Sequence, residues 1–383
     1  MSGRLAPLRN ARLWAVLWCW NVIWAVEHYR GAGGSWHYFA LGGRLLFGDD
    51  QGEGLHLYAA HPELQIGPIS FLVARPLHLL DPWHGRAAGV ILMSLTGPLV
   101  LAVIWRLVPE PARRPERLLI AGLIFLPIWA ELATHTGHLD DILALFFGLA
   151  AIHARLHRHP VLAGLLVAAA ADSKPWALAF APLLLIRPAR STWAALAACA
   201  AGLAAAWLPF LLLDPHTLQA AHFTIKNATS SGLRVLGYSG PNTPAWDRPA
   251  QLALGCLLGA LAVYRRRWEA VILLATASRI LLDPEVYGYY TSGVLVGTLI
   301  FDLVATQRRW PLVTLTAALT LYLSQFVATV HLLPLTPAEL GQLRVAFVLV
   351  AVAAAFAASR ARSSGRHRIS QLRSARSPSA PNS

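Results

Sequence analysis

Apolar runs long enough to cross a bilayer recur along the whole chain, and short arginine clusters separate them. About 20 apolar residues in a helix span the hydrocarbon core. The pattern therefore commits the chain to an all-α, polytopic membrane fold before any single residue is considered. Of the 383 residues 56% are hydrophobic and 13% charged, where soluble domains carry about 25% charged residues. Mean hydropathy is +0.50. The formal charge of +13 is gathered at Arg113 and Arg114, Arg265 to Arg267, Arg308 and Arg309, and from Arg360 to Arg376. That is the positive-inside signature that orients helices, and it argues for membrane lipids and against nucleic acid as the partner. Cys19, Cys199 and Cys256 fall inside predicted helices without metal-ligand spacing, so no disulfide framework is implied. Abundant Ala, Leu and Arg, with Lys174 and Lys226 the only lysines, fit a GC-rich bacterial genome and hence a bacterial plasma membrane.

Taken in order, Arg4, Arg9 and Arg12 put the N-terminus inside, and a retained first helix over Leu13 to Val26 carries Trp14, Trp18, Trp20 and Trp24 toward the interfaces. A long extracytoplasmic loop, 27–65, follows, in which Ser35 to Phe47 has helical apolar spacing and suits the membrane plane. Gly67 to Leu80 is too short for a span and reads as re-entrant, because a full crossing would put Arg113, Arg114 and Arg117 outside. Spans are predicted at 87–107, 118–133 and 139–156. Val161 to Ala171 and Trp176 to Ile186 are each too short to cross, and Asp172-Ser173-Lys174-Pro175 lies between them. They read as a helical hairpin with its tip outward, a form that aims helix ends at a ligand. Spans at 191–213, 250–264, 268–282, 290–306, 311–332 and 343–359 complete one transmembrane domain, 1–359, of about twelve crossings. Both termini are expected in the cytoplasm, with a disordered basic tail at 360–383.

Within this oily chain, Thr134 to Asp141 (Thr-His-Thr-Gly-His-Leu-Asp-Asp) stands out. Ionisable groups at membrane depth are expensive to desolvate and mark function. His138, Asp140 and Asp141 are therefore candidate catalytic groups, although carboxylates opening a helix also cap free N–H groups. Metal binding by His135, His138 and the two carboxylates is a further option, but the spacing matches no established ligand set and no metal or other cofactor is expected. In the first loop Asp49, Asp50 and Glu63 are further candidate bases, with His37, His61 and Gln65 as substrate contacts. Lys174 precedes a helix N-terminus, which suits phosphate; a simple pair with Asp172 or the acidic cluster is the alternative. Arg279 faces either an anionic head group or Asp283 at i+4. Tyr287, Tyr289 and Tyr290 fit a sugar-stacking surface or an interfacial belt.

Gly137-His138-Leu139-Asp140-Asp141, an apolar helix, a basic turn, Ala163-Gly164-Leu165, then Lys174-Pro175-Trp176 and Pro182-Leu183-Leu184 resemble the bacterial GT-C glycosyltransferases. The likeness is strongest to the family-87 polyprenyl-phosphate-mannose-dependent mannosyltransferases of actinobacteria, and it covers residues 13–190. The resemblance implies a GT-C-like bundle with a long first extracytoplasmic loop. It also implies transfer of a sugar, mannose foremost, from a polyprenyl-phosphate donor to a glycolipid or glycan acceptor outside the membrane. In that family a catalytic Asp stands shortly after helix 1, where this chain has Gly34-Ser35-Trp36. The base must then be a nearby carboxylate, such as Asp49, Asp50 or Glu63, or the Asp140/Asp141 pair, or the chain is an inactive relative. A transporter or flippase for lipid-linked sugars is the alternative from another class.

Overall fold

The computed structural model describes residues 5–48, 52–186 and 189–357. Among them the chain is helical throughout, without a strand; one isolated bridge joins Lys226 and Asn242. Asp49 and Asp50, like the tail at 360–383, lie outside the described residues. The helices are α1 (Leu5–Glu27), α2 (Trp36–Phe47), α3 (Leu57–Ala60), α4 (Pro68–Ala74), α5 (Pro82–Leu107), α6 (Pro115–Ala130), α7 (Leu139–Leu156) and α8 (Pro160–Ser173). After them come α9 (Ala189–Leu213), α10 (Gly232–Val235), α11 (Asp247–Tyr264), α12 (Val271–Leu282), α13 (Tyr290–Ile300), α14 (Leu312–Ala317), α15 (Ser324–Thr329) and α16 (Pro337–Ala357).

Among the described residues, five helical stretches are each long and apolar enough to cross a membrane: Pro82–Leu107, Pro115–Thr136, Arg190–Leu213, Leu312–Thr329 and Pro337–Ala357. The other predicted crossings are shorter, more polar or broken. Two of the short ones, α12 and α13, are the centre of the bundle. Every residue from Val271 to Ile280 and from Thr291 to Ile300 is buried, as a helix apolar on all sides must be. The tryptophans of α1 are partly buried in the bundle. Trp20 donates its indole N–H to the Leu123 carbonyl of α6 at 3.1 Å, because an N–H in apolar surroundings needs a partner.

The predicted hairpin is present, though its second arm, Pro175–Leu185, winds as a 3₁₀ helix. A Cβ on Gly164 would fall 2.1 Å from the Ala195 carbonyl oxygen, and one on Gly202 would fall 2.7 Å from Ala168. These pairs ascend together along α8 and α9, so the two helices run parallel and the 3₁₀ arm must return between them. At the far end Arg155 of α7 donates to Ser191 and Thr192 at the start of α9. Following each helix from end to end, the turns holding Arg113 and Arg114, Arg158, Arg265 to Arg267, and Arg308 and Arg309 lie at the end opposite Asp140, Lys174 and Arg279.

Gly67 to Leu80 forms no span: α4 is followed directly by a 3₁₀ turn, Arg75–Leu79. Its entry is wedged against the hairpin tip. Gly67 N–H donates to the Ser173 carbonyl at 3.1 Å, Ile69 N–H donates to the Asp172 carboxylate at 3.2 Å, and a Cβ on Gly67 would lie 1.1 Å from the Asp172 carbonyl oxygen. Asp172 thus satisfies a free N–H at the start of α4, and Lys174 is left to pair elsewhere.

Candidate active site

The last turns of the second span, Glu131–Thr136, are π-helical and stop at Gly137 in a left-handed conformation, φ +67°. A helix end leaves carbonyls without intrahelical partners. Here the first loop supplies them: Gly33, Gly34 and Ser35 N–H donate to the carbonyls of Thr134, His135 and Thr136 at 2.9, 3.2 and 2.7 Å. That stitching delivers the Ser35 hydroxyl to within 2.9 Å of His138 Nε2. On the other side of the ring, Nδ1 faces the Asp140 carboxylate at 3.4 Å.

Asp140 is fully buried and ion-paired with the Lys174 ammonium. Asp141 accepts from Arg279 Nη1 at 2.8 Å and from the Trp176 indole N–H at 3.0 Å. Arg279 also reaches Asp283 at 3.4 Å, the i+4 pairing expected for it, whereas its pairing with Asp141 was not foreseen. Its guanidinium lies between Tyr290, 3.9 Å from the ring centroid, and Trp176, 4.7 Å away, and the residue is only 7% exposed. Such stacking holds a desolvated guanidinium strongly. Burying these charges is tolerable only because each meets an opposite charge. Capping is also realised, since Asp141 N–H donates to the Asp140 carboxylate at 2.9 Å.

An aromatic stack leads onto the cluster. Tyr289 lies against His138 with ring centroids 3.9 Å apart and an interplanar angle of 24°. Tyr287, partly exposed, lies on Tyr289 at 5.4 Å. The remaining predicted contacts sit apart from this group, with no hydrogen bond or ion pair to it. His61 pairs with Glu63 at 3.2 Å. Gln65 accepts from Arg248 at 2.9 Å and reaches the Ala220 and Phe223 carbonyls, which ties the first long loop to the second. His37 is exposed and bonds the Gly34 carbonyl at 2.8 Å. His138, Asp140 and Asp141 offer ligand atoms within 4.8 Å of one another, a spacing a cation would fit, and the Lys174 ammonium already supplies positive charge there. Ser35 and Trp176 were not among the predicted site residues, although Trp176 is adjacent to Lys174-Pro175 and Ser35 lies in the Gly34-Ser35-Trp36 departure from the resembling family.

An all-helical membrane protein with a dense ionisable cluster at one end of the bundle has the build of an enzyme or carrier handling a polar group at a lipid surface. Comparison with known families decides between these. Residues 67–280 match the profile of glycosyltransferase family 87, and the chain belongs to that family: it is a membrane glycosyltransferase. The match takes in Asp140, Asp141, Lys174 and Arg279, while Ser35 and the Tyr287 to Tyr290 turn lie beyond it. No curated protein and no solved structure matches the chain.

Proposed function

We propose that the protein transfers a sugar, mannose foremost, from a polyprenyl-phosphate donor to a glycolipid or glycan acceptor on the extracytoplasmic face, with inversion. The observation that carries the chemistry is the line Ser35 Oγ, His138, Asp140. A base must reach the acceptor hydroxyl directly. Asp140 and Asp141 are buried and committed to Lys174 and Arg279, whereas His138 is partly exposed. Asp140 favours the tautomer with the proton on Nδ1 and leaves Nε2 free to accept. The Ser35 hydroxyl holds the place at Nε2 that the acceptor hydroxyl takes on binding.

The acceptor O–H proton then passes to Nε2 as the oxygen bonds the anomeric carbon. The bond from that carbon to the phosphate oxygen breaks, its electron pair leaves with polyprenyl phosphate, and the passing state is oxocarbenium-like. Lys174 and Arg279 hold the two carboxylates in place, and Lys174 alone of the pair keeps an edge open to a substrate. Tyr287, at the exposed end of its stack, gives a sugar ring a face to rest on. The basic turns gather at the opposite end of the helices, which under the positive-inside rule supports an extracytoplasmic site.

His138→Gln should lower transfer from a labelled polyprenyl-phosphate mannose by about 10²–10⁴-fold, while Ser35→Asp, which restores a carboxylate beside the acceptor, should remain active. Full activity in His138→Gln would reject this base. In sealed vesicles given labelled donor outside, a new glycosidic bond marks the enzyme; relocated but unchanged donor marks a flippase.

A further inference from the structure

A cavity of about 500 Å³ opens between α2, the Arg75–Leu79 turn and the first turn of α5. Arg44, Arg75 and Arg86 line it, with His37 and His78. Asp81 is the one carboxylate among the described lining residues, and it is committed to the start of α5. It accepts from Trp83 and His84 N–H at 3.1 and 3.2 Å and pairs with the His84 ring. Both ring nitrogens of His78, in the wall, are buried without a hydrogen-bond partner. The lip has the opposite character. Leu80 in the cavity lining is exposed, as are Leu72, Leu79 at 82% and Trp83 at 66% in the neighbouring segments and Phe47 at the end of α2; exposed apolar side chains of this kind suit contact with lipid. Gly33 and Gly34 form one wall, so the cavity ends one residue from Ser35 and its contact with His138.

We infer that this cavity binds a phosphate group carried on a lipid chain, and that under the transferase reading above, on which the inference rests, it is the leaving phosphate of the donor. Guanidinium forks match phosphate oxygens in pairs, and the apolar lip gives the attached chain a path into the bilayer. An inverting displacement needs the base and the leaving group on opposite sides of one anomeric carbon. A sugar bridging Ser35 and the cavity meets that condition. Arg279 does not offer the same service, since its polar edge and both faces are taken up by Asp141, Asp283, Trp176 and Tyr290.

The test compares binding of a polyprenyl monophosphate, the neutral polyprenol, inorganic phosphate and phosphatidylglycerol to the full chain in nanodiscs. Arg44→Gln/Arg86→Gln, two exposed positions, should weaken polyprenyl monophosphate by about tenfold or more and leave polyprenol binding unchanged, with inorganic phosphate competing only for the head group. Arg86→Lys, which keeps the charge and loses the fork, should fall between. Equal binding of polyprenyl monophosphate by wild type and the double variant overturns the site. Phosphatidylglycerol binding as tightly as the polyprenyl phosphate overturns the assignment to the donor. The transferase reading fails separately: wild type would then form no glycosidic bond while the difference between polyprenyl phosphate and polyprenol persists.

Discussion

At the scale of single residues, the site depends on pairings made across long stretches of chain. Lys174 and Asp140 are the sharpest case, with side chains 17% and 0% exposed. Lys174→Met leaves a buried carboxylate without its cation, which should cost about 3–5 kcal/mol. A thermal melt in detergent should show the loss. Adding Asp140→Asn should recover most of it, because the uncompensated charge is then gone. Failure of the double variant to recover would mean the lysine acts through packing instead of charge. Asp140, Asp141 and Lys174 stood out in the sequence, since ionisable residues between apolar runs are rare enough to notice, and the structure brings the three together. Ser35 was legible only as a departure from the resembling family. Its hydroxyl acquires a role because the loop carrying it bonds to the end of the second span, some hundred positions later.

At the scale of elements, the two long loops hold each other in place. The 3₁₀ helix Pro215–His222 docks on α3, and Asp214 at its start joins two imidazoles, His56 at 2.9 Å and His216 at 3.0 Å. The hydrogen bond from His56, then the backbone N–H of His216, hold the Asp214 carboxyl down to about 2, below the value of about 3.9 for an unfolded chain. A carboxylate depressed on folding contributes stability that is complete above the unfolded value and is lost as pH falls through the folded one. Between pH about 4 and about 2, hydrogen exchange in the Pro215–His222 segment should therefore rise. Asp214→Asn should show the faster exchange at every pH, with no acid step. The helical hairpin was foreseen from two apolar runs too short to cross. The 3₁₀ winding of its second arm was not, because apolar content is the same for either helix.

At the scale of the whole molecule, the proposed orientation puts the cluster outside the cell and the arginine turns inside. With Cys19, Cys199 and Cys256 replaced by Ser, a cysteine introduced at Ser239 should react with an impermeant maleimide on intact cells. One at Arg308 should react only after lysis; the reverse pattern would place the site in the cytoplasm and exclude an extracytoplasmic acceptor. Among the described residues, five stretches qualify as spans by length and apolarity. The short helices α12 and α13 are buried among the others, so their exposure to lipid never had to be written into their length.

The sequence alone settled the solvent and the class. Apolar runs with little charge leave a chain only the bilayer to fold in, and the Gly137 to Asp141 and Lys174 to Trp176 motifs pointed to the glycosyltransferase family that its profile then matched. Tertiary structure decided the partners: which carboxylate takes which cation, that His138 lies between Ser35 and Asp140, and that a basic cavity opens beside them. The reason is distance. Hydropathy acts along the chain and is readable there, whereas hydrogen bonds and ion pairs act over a few ångströms between residues that only the packed bundle brings together.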